Sequence, residues 1–456
     1  MDRSAKYNYR YLGEDLKVSN DTWQTRLNNN DLIVGSSGSS KTGSIVYPQL
    51  KSLQDSSLIV VDTKGRLASM FTDELQAKGY KVKVLDFVNP GSSSKYNPLA
   101  YIRKNENGQY REQDIAKVAA ALIPMDSTAE SFWPSSARQY LEFFIDFVLM
   151  RHTEDKHNMK EVANFYSYYI NGGEESKYVT NFVRENPNTL LANRHAQIHS
   201  SKMADKTRTS ILSFVAMALA PFEYAEYSDL FRYKYERRLS PDVAFDSTLP
   251  LEEWVFPADA ELWDDQENYI EELVLCDDVV DIASLGKEKT VLFLNVSDCD
   301  HSMDTVVNLF YTQALQTLIA EADANPNGQL DVPVRIIMDD FASSALIPDF
   351  DKIISVVRSR DIWLTLCIQS FTQLESLYTH PQAQTIINNC DHIVYLGSND
   401  LESANYIGTR VNKSPETILS MDRDGEYILE SGSLGKFIRK IPSYGFVYEG
   451  ESPEMD

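Results

Sequence analysis

Leu32-Ile33-Val34-Gly35-Ser36-Ser37-Gly38-Ser39-Ser40-Lys41-Thr42 is a short apolar run, then a loop of small residues, then a lysine followed by a threonine. The run reads as a buried strand and the residues after Thr42 as a helix, so the loop between them can wrap phosphate with its backbone N–H groups at a helix N-terminus. In that reading Gly35, Ser36, Ser37, Gly38, Ser39, Ser40, Lys41 and Thr42 form a nucleotide site. Lys41 reaches the β and γ phosphates, the Thr42 hydroxyl binds the metal, and ATP with Mg²⁺ is the expected cofactor pair. The usual pattern, G-x-x-x-x-G-K-[ST], has glycine where this chain has Ser40. A Cβ there costs on the order of 1 kcal/mol if the loop needs a left-handed backbone, so weaker binding than usual is expected.

A nucleotide hydrolase of this kind also needs an acid at the end of another buried strand. Val334-Arg335-Ile336-Ile337-Met338-Asp339-Asp340 supplies two. Asp339 is the expected metal-shell residue and Asp340 the residue that polarises the attacking water, one methylene shorter than the glutamate common at that position. The strand Ile362 to Ile368 ends at Gln369, whose amide sits at the sheet edge where ligands bind in open α/β folds and is placed to sense the γ-phosphate. Arg358 and Arg360 close the helix between those two strands. Either can project from the protomer and, in a ring, stabilise transition-state charge on a neighbour's nucleotide, or simply cap the helix and pair at the surface.

Around this centre, apolar β-branched runs recur at Asp31 to Val34, Ser57 to Val61, Lys81 to Leu85, Thr290 to Val296, Val334 to Met338, Ile362 to Ile368 and His392 to Leu396. They alternate with helical stretches at Leu67 to Lys78, Thr305 to Glu321 and Phe350 to Arg358, which implies an α/β fold with a mostly parallel sheet. Between about Gln113 and Leu230 no strand candidate occurs. Helical spacing does, with Tyr140, Phe143, Phe144, Phe147 and Val148 on one face and Ile211, Phe214, Val215 and Ala218 on another. The expected organisation is therefore residues 1–112 as the first part of the nucleotide-binding domain, 113–230 as an inserted all-α domain, 231–285 as an acidic connector and 286–456 as the second part. Long crossover helices are the alternative.

With 456 residues, 43% hydrophobic and 24% charged, the chain can bury a large core. Its 43 Lys and Arg against 67 Asp and Glu give a formal charge of -24, which argues against coating nucleic acid with the outer surface and confines any DNA contact to a channel or patch. Twelve of the carboxylates, with no Lys or Arg among them, lie between Leu251 and Asp281, interleaved with Trp254, Phe256, Trp263 and Tyr269. This stretch reads as a partly packed surface excursion, or as a docking site for a basic partner. Four scattered cysteines and the lack of a signal peptide or an 18-residue apolar run fit a cytoplasmic chain. His195 and His199 are spaced i, i+4 but lack a metalloprotease glutamate, so metal binding is not expected. With Arg194, Lys202, Lys206 and Arg208 they form a basic island, a candidate contact for DNA phosphates or a solvated helix face.

Taken in order, several motifs resemble those of the type IV secretion and conjugation coupling proteins, the TraG/TraD-like ATPases related to the FtsK DNA pumps. Besides the phosphate loop they are Val60-Val61-Asp62-Thr63-Lys64-Gly65-Arg66, Lys95-Tyr96-Asn97-Pro98-Leu99, Phe132-Trp133 and Lys206 to Ile211. Further along come Asp339-Asp340-Phe341-Ala342, Ile347-Pro348-Asp349-Phe350, Arg358-Ser359-Arg360-Asp361-Ile362, Gln369-Ser370, and Asn389-Cys390-Asp391 leading to Tyr395-Leu396-Gly397-Ser398. The resemblance spans about Asn28 to Ile418. It implies a RecA-like P-loop NTPase interrupted by an all-α domain, working as a homo-hexamer on DNA or membrane and monomeric in isolation. The implied partners are single-stranded DNA carrying a relaxase, relaxosome proteins and subunits of the secretion channel. The family's N-terminal transmembrane hairpin has no counterpart here, so a place at the inner face of the bacterial membrane would need a missing anchor or a partner protein. Ser40 and Asp340 depart from the family pattern at catalytic positions, which leaves a weakly hydrolysing receptor that recruits relaxase or effector proteins as the rival expectation.

Overall fold

The computed structural model describes residues 6–14, 16–125, 132–173, 177–200, 205–232, 235–240, 270–275, 278–339, 341, 346–422, 424–431 and 435–442. Its frame is a nine-stranded sheet. In chain order the strands are β1 (Tyr9–Gly13), β2 (Leu16–Ser19), β3 (Asp31–Val34), β4 (Ser57–Asp62), β5 (Lys81–Asp86), β6 (Tyr235–Ser240), β7 (Ile270–Leu275), β8 (Thr290–Asn295), β9 (Val334–Met338), β10 (Ile362–Ile368), β11 (His392–Tyr395), β12 (Gly425–Glu430) and β13 (Lys436–Arg439). The large sheet runs β13-β12-β11-β3-β10-β9-β4-β8-β5, with β11 through β5 parallel and β12 and β13 added antiparallel at one edge. The strand bearing the phosphate loop, β3, is separated from the aspartate-bearing β9 by β10, so all three deliver their C-terminal ends to one edge.

The parallel strands are those expected from the apolar runs, because helices cover both faces and leave few polar positions. The four hairpin strands were not legible in that way. Tyr9-Arg10-Tyr11-Leu12-Gly13 and Gly425-Glu426-Tyr427-Ile428-Leu429-Glu430 mix charge with apolar residues; the first is covered mainly on one face, whereas the second is buried on both and carries Glu426 into the interior. The β1–β2 hairpin packs over β3, β11 and β12 through Leu12, Val18, Ile33, Val394 and Ile428. A further antiparallel pair, β6–β7, joins Tyr235 with Leu275 through Ser240 with Ile270 within the expected 231–285 connector, with only β7 in the acidic stretch. Most of that stretch, including Trp254, Phe256 and Trp263, lies outside the described residues.

Among the described residues between β5 and β6, every long element is a helix: Glu112–Leu122, Phe132–Arg151, Met159–Tyr168, Lys177–Glu185, Leu190–Ser200 and Asp205–Leu219. The 20-residue helix Phe132–Arg151 is central, and Tyr140, Phe143, Phe144, Phe147 and Val148 are all buried along it. Phe147 stacks on Phe165 with ring centroids 3.9 Å apart and planes within 7°. This helical layer shares one continuous core with the sheet, and the helix Glu112–Leu122 packs on the long helix Asp304–Ala324. Lys95 to Leu99 makes the joint. Tyr96 donates to Gln313 Oε1 at 2.5 Å, Gln313 returns a hydrogen bond to the Pro98 carbonyl at 2.8 Å, and Asn97 donates to the His157 carbonyl at 2.7 Å.

Two expectations about this layer are corrected. Phe214 does not join Ile211, Val215 and Ala218 inside; it is 38% exposed, because the face of Asp205–Leu219 that packs on Phe132–Arg151 is narrower than the sequence stripe. Arg194 is not part of a basic surface island. It is buried and binds Glu112 at 2.7 Å, Glu142 at 2.8 Å and Asp146 at 2.8 Å. Burial, and then Glu112, push Asp146 up to about 7 against the pull of Arg194, as expected where three carboxylates share one guanidinium. Lys202 lies outside the described residues. His195 and His199 lie with ring centres 4.1 Å apart and planes tilted by 49°, beside Phe143 and Tyr169, and burial followed by His199 pushes His195 down to about 4. No metal-holding cluster occurs among the described residues, and none of their helices is long and apolar enough to cross a membrane.

The opposite end of the sheet is held by charge. Asp31, the first residue of β3, is fully buried, with Thr365 of β10 and His392 of β11 beside it in register. Arg10 from β1 grips it with Nη2–Oδ1 at 2.9 Å and Nε–Oδ2 at 2.9 Å, and Arg335 from β9 reaches Oδ2 at 3.0 Å. The remaining guanidinium donors go to Asn20, Asn29 and Thr365, and the Arg335 guanidinium lies 5.2 Å from the Trp363 ring centre. Burial alone would raise Asp31, but Arg10 and Arg335 outweigh it and hold the carboxyl below its ordinary value. His392 faces Arg10 through Nδ1 at 3.1 Å, and burial, then Arg10, push it down to about 4, so it stays neutral.

Asp31→Asn would leave two buried guanidinium groups short of a counter-charge and should destabilise the protein by about 3–5 kcal/mol in urea unfolding. A change below 1 kcal/mol would show that the cluster is not the anchor. For pH the sign is set by proton uptake: unfolded His392 takes a proton near 6.5, whereas the folded side chain does so only near 4. Stability from this group is complete above 6.5 and is lost as pH falls from 6.5 to 4. A urea midpoint that does not fall over that window, or one that falls equally in His392→Gln, would contradict this.

Candidate nucleotide site

Gly35 turns the chain out of β3, and its geometry requires glycine: a Cβ would lie 2.3 Å from Ser39 Oγ. Its N–H donates to the Ile368 carbonyl at the end of β10, and Ser36 N–H donates to the Gly397 carbonyl after β11. The loop is thus fixed to both flanking strands. Gly38 has φ +77° and open space around it, and Ser40 has φ +68°. The left-handed conformation expected to penalise Ser40 is therefore the one it adopts, at a cost of about 1–2 kcal/mol relative to an unstrained backbone. From Thr42 to Lys51 the chain is helical, beginning with one wide turn.

Lys41 is buried and donates to the loop's own carbonyls, Gly35 O at 2.8 Å and Ser36 O at 3.4 Å, which keeps its ammonium inside the loop. Thr42 Oγ1 donates to Asp339 Oδ2 at 2.8 Å. That contact brings together two residues 297 positions apart, one at the helix start and one at the end of β9. A hydroxyl and a carboxylate side by side, next to a lysine and a ring of loop N–H groups, is a donor set that suits a hydrated Mg²⁺ carrying a polyphosphate.

Beside Asp339 lies a cavity of about 140 Å³ at the C-terminal edge of β4, β8 and β9. Gln369 lines it, as do Thr63, Met338, Phe341, Asn308 and Tyr311. Asp62 makes the expected turn at this edge: it accepts from the N–H groups of Lys64 and Leu67, and Gly65 has φ +64°. The backbone N–H of Gln369 donates to Gln373, fixing the residue at the top of β10. Asn308 and Tyr311 were missed from the sequence. Their signal is polar side chains on a largely apolar buried helix, where Asn308 Nδ2 and the Tyr311 hydroxyl have no partner among the described residues. Burial and then Asp339 drive the Tyr311 hydroxyl far above its ordinary value, so it stays protonated and can donate.

Asp340 lies outside the described residues. Arg358 does not reach the site within one chain. It sits before β10, at the edge of the sheet opposite the phosphate loop, exposed and donating to the Arg26 carbonyl at 3.2 Å. Arg360 beside it pairs with Asp323 at 2.8 Å.

Fold and site together define a P-loop nucleotide-binding protein with a RecA-like parallel sheet. The chain belongs to the family of type IV secretory system conjugative DNA transfer proteins, whose sequence profile matches residues 4–232, half of its length. The profile of the TraM recognition site of TraD and TraG matches residues 333–426. Among solved structures, the unbound monoclinic form of the bacterial conjugative coupling protein TrwBdeltaN70 is similar at 14% identity and TM-score 0.59, covering 91% of this chain and 85% of that one. Plasmid coupling protein TrwB in complex with ADP and Mg²⁺ has 14% identity, TM-score 0.57 and the same coverage. TrwB with the ATP analogue ADPNP has 13% identity and TM-score 0.57, covering 92% of this chain and 86% of that one. No curated protein matches the sequence.

Ser40→Gly should relieve the left-handed strain and, after the entropy glycine adds to the unfolded chain, raise stability by about 0.5–1 kcal/mol. Chemical denaturation measures this directly. A loss of stability would mean that the serine side chain contributes more than its backbone costs.

Proposed function

We propose that this chain is the coupling ATPase of a type IV secretion or conjugation system, hydrolysing MgATP as a ring, most simply a homo-hexamer, to move DNA toward the channel. The observation that carries the reading is the Thr42–Asp339 contact of 2.8 Å, which joins the phosphate loop to the acid of a second strand as Mg²⁺-dependent hydrolysis requires. Its substrate would be a single strand carrying its relaxase, received with relaxosome proteins and passed to channel subunits at the inner face of the bacterial membrane. TrwB structures with ADP and Mg²⁺ and with ADPNP support ATP and Mg²⁺ as the cofactors. The division into residues 1–112 and 286–456 as motor, 113–230 as helical insert and 231–285 as connector belongs to this proposal.

The roles follow from position. The loop N–H groups other than those of Gly35, Ser36 and Ser39, which bond within the protein, hold the β-phosphate, and the Lys41 ammonium turns from the Gly35 carbonyl to the γ-phosphate. Thr42 and Asp339 hold the metal, which when bound screens the phosphate charge against the nucleophile. Asp340 takes a proton from the attacking water, and Gln369, at the top of the strand between β3 and β9, orients that water. Arg358, at the far end of the sheet, can serve only a neighbour's site, so its action requires assembly. Strain at Ser40 favours a second reading, a receptor that binds nucleotide but turns it over slowly and recruits relaxase or effector proteins.

Steady-state ATP hydrolysis over a protein concentration series, with and without single-stranded DNA, separates the two. For the motor, turnover rises with both variables and falls at least about 100-fold in Lys41→Ala and Asp340→Asn. Arg358→Ala should abolish the concentration-dependent part alone. Tight nucleotide binding without turnover above these variants would remove the motor and leave the receptor.

A further inference from the structure

The helix Asp304–Ala324 is buried without a break from Val306 to Leu315. Polar groups inside such a helix need partners, because burying a donor without one costs its hydration. Two of its buried polar side chains have them. Thr312 donates to the Asn308 carbonyl at 2.8 Å, and Gln313 donates to the Pro98 carbonyl at 2.8 Å while accepting from Tyr96. The Asn308 amide nitrogen and the Tyr311 hydroxyl have none among the described residues. Those two residues are three positions apart on one helix face, and both line the cavity of about 140 Å³ that Asp339 also lines.

The lining decides what the cavity suits. Asp298, Asp304 and Asp339 make it acidic, which disfavours an anion such as released phosphate. An amide N–H donor does not suit a bare cation either. Water suits both kinds of group, since it accepts from Asn308 and Tyr311 and donates to a carboxylate, and about 140 Å³ has room for several molecules. A carboxylate offers about four acceptor positions, so the bond that Asp339 Oδ2 accepts from Thr42 does not preclude another from cavity water.

We propose that Asn308 and Tyr311 are positioning residues of the metal centre: through water in this cavity they orient the Asp339 carboxylate and so set how strongly Mg²⁺ supports nucleotide binding. The inference rests on the reading of Thr42 and Asp339 as the metal pair. Groups that hydrogen-bond a metal's ligand fix its direction and tune its affinity, and removing one weakens metal binding about 10- to 100-fold. Their helix suits them to this role, because the Gln313 bonds to Tyr96 and Pro98 fix its position only two residues beyond Tyr311.

The test measures ADP binding by calorimetry at pH 7, once with Mg²⁺ and once with EDTA, and takes the ratio of the two affinities as the gain due to the metal. The proteins are the unaltered chain, Tyr311→Phe, Asn308→Leu, Lys41→Ala and, as a packing control on the same helix, Leu315→Ala. Tyr311→Phe and Asn308→Leu should each lower the ratio about tenfold while affinity in EDTA stays within about twofold. Leu315→Ala should lower the melting temperature and leave the ratio as it is. A ratio unchanged in both variants, equal losses with Mg²⁺ and with EDTA, or a ratio lowered as much by Leu315→Ala would overturn the inference. A drop in one variant alone would remove the other residue from it. Tyr311→Phe differs from the unaltered chain by one buried hydroxyl, so it decides the matter even where Asn308→Leu does not fold. If the unaltered chain gains from Mg²⁺ and Lys41→Ala weakens ADP, a failure belongs to Asn308 and Tyr311 alone. If the unaltered chain binds no ADP, or binds it equally with and without Mg²⁺, the metal and nucleotide reading falls, and this inference with it.

Discussion

A single carboxylate, Asp31, organises the base of the sheet. It begins the strand that carries the phosphate loop, and Arg10 from the N-terminal hairpin and Arg335 from the strand of Asp339 both converge on it. An isolated buried ion is costly, so the cluster is stable only with all members in place, and that requirement sets the register of β1, β3, β9, β10 and β11 together. Of those strands, β3, β9, β10 and β11 carry their upper ends to the nucleotide site a few residues later. The separation of loop and acid by one strand, and hence the 2.8 Å approach of Thr42 to Asp339, is fixed at the bottom of the sheet as much as at the top.

The phosphate loop shows the complementary kind of constraint. Gly35 and Gly38 supply a close approach and a left-handed turn that other residues tolerate poorly, and the flanking strands tie the loop by backbone hydrogen bonds from Gly35 and Ser36. Ser40 is strained within that frame. Strain of this size persists only where the surroundings over-determine the conformation. Here they do: Ser40 is held between the Ser39 carbonyl, which Lys440 contacts, and the helix that begins with Thr42. The loop's shape is thus maintained by a strand pair at the far end of the sequence.

The helical layer is fused to this machinery. Tyr96, Asn97 and Gln313 link the connector after β5 to the long helix Asp304–Ala324, and that helix presents Asn308 and Tyr311 to the cavity beside Asp339. The helical layer is thereby hydrogen-bonded to the same helix that lines the cavity beside Asp339. Arg194, which the sequence offered as a surface cation, instead neutralises carboxylates from two neighbouring helices and so binds the layer together.

The amino-acid sequence alone determined the parallel core of the sheet, because strands buried on both faces must be apolar throughout, and it determined the phosphate loop, because small residues before Lys41 and Thr42 have few other uses. It also placed Asp339 and Gln369, since each terminates an apolar strand abruptly with a polar side chain. The tertiary structure alone decided the rest. The hairpins β1–β2 and β12–β13 mix charge with apolar residues and give no clean period. Arg194 reads as a surface charge, and nothing local gives Arg10, Arg335 or Glu426 their place, until distant segments supply their partners or bury them. Lys440 is an ordinary lysine near the end of the chain, and only the antiparallel edge of the sheet brings it to Ser39, about 400 residues away, since long-range contacts leave no local period in a sequence.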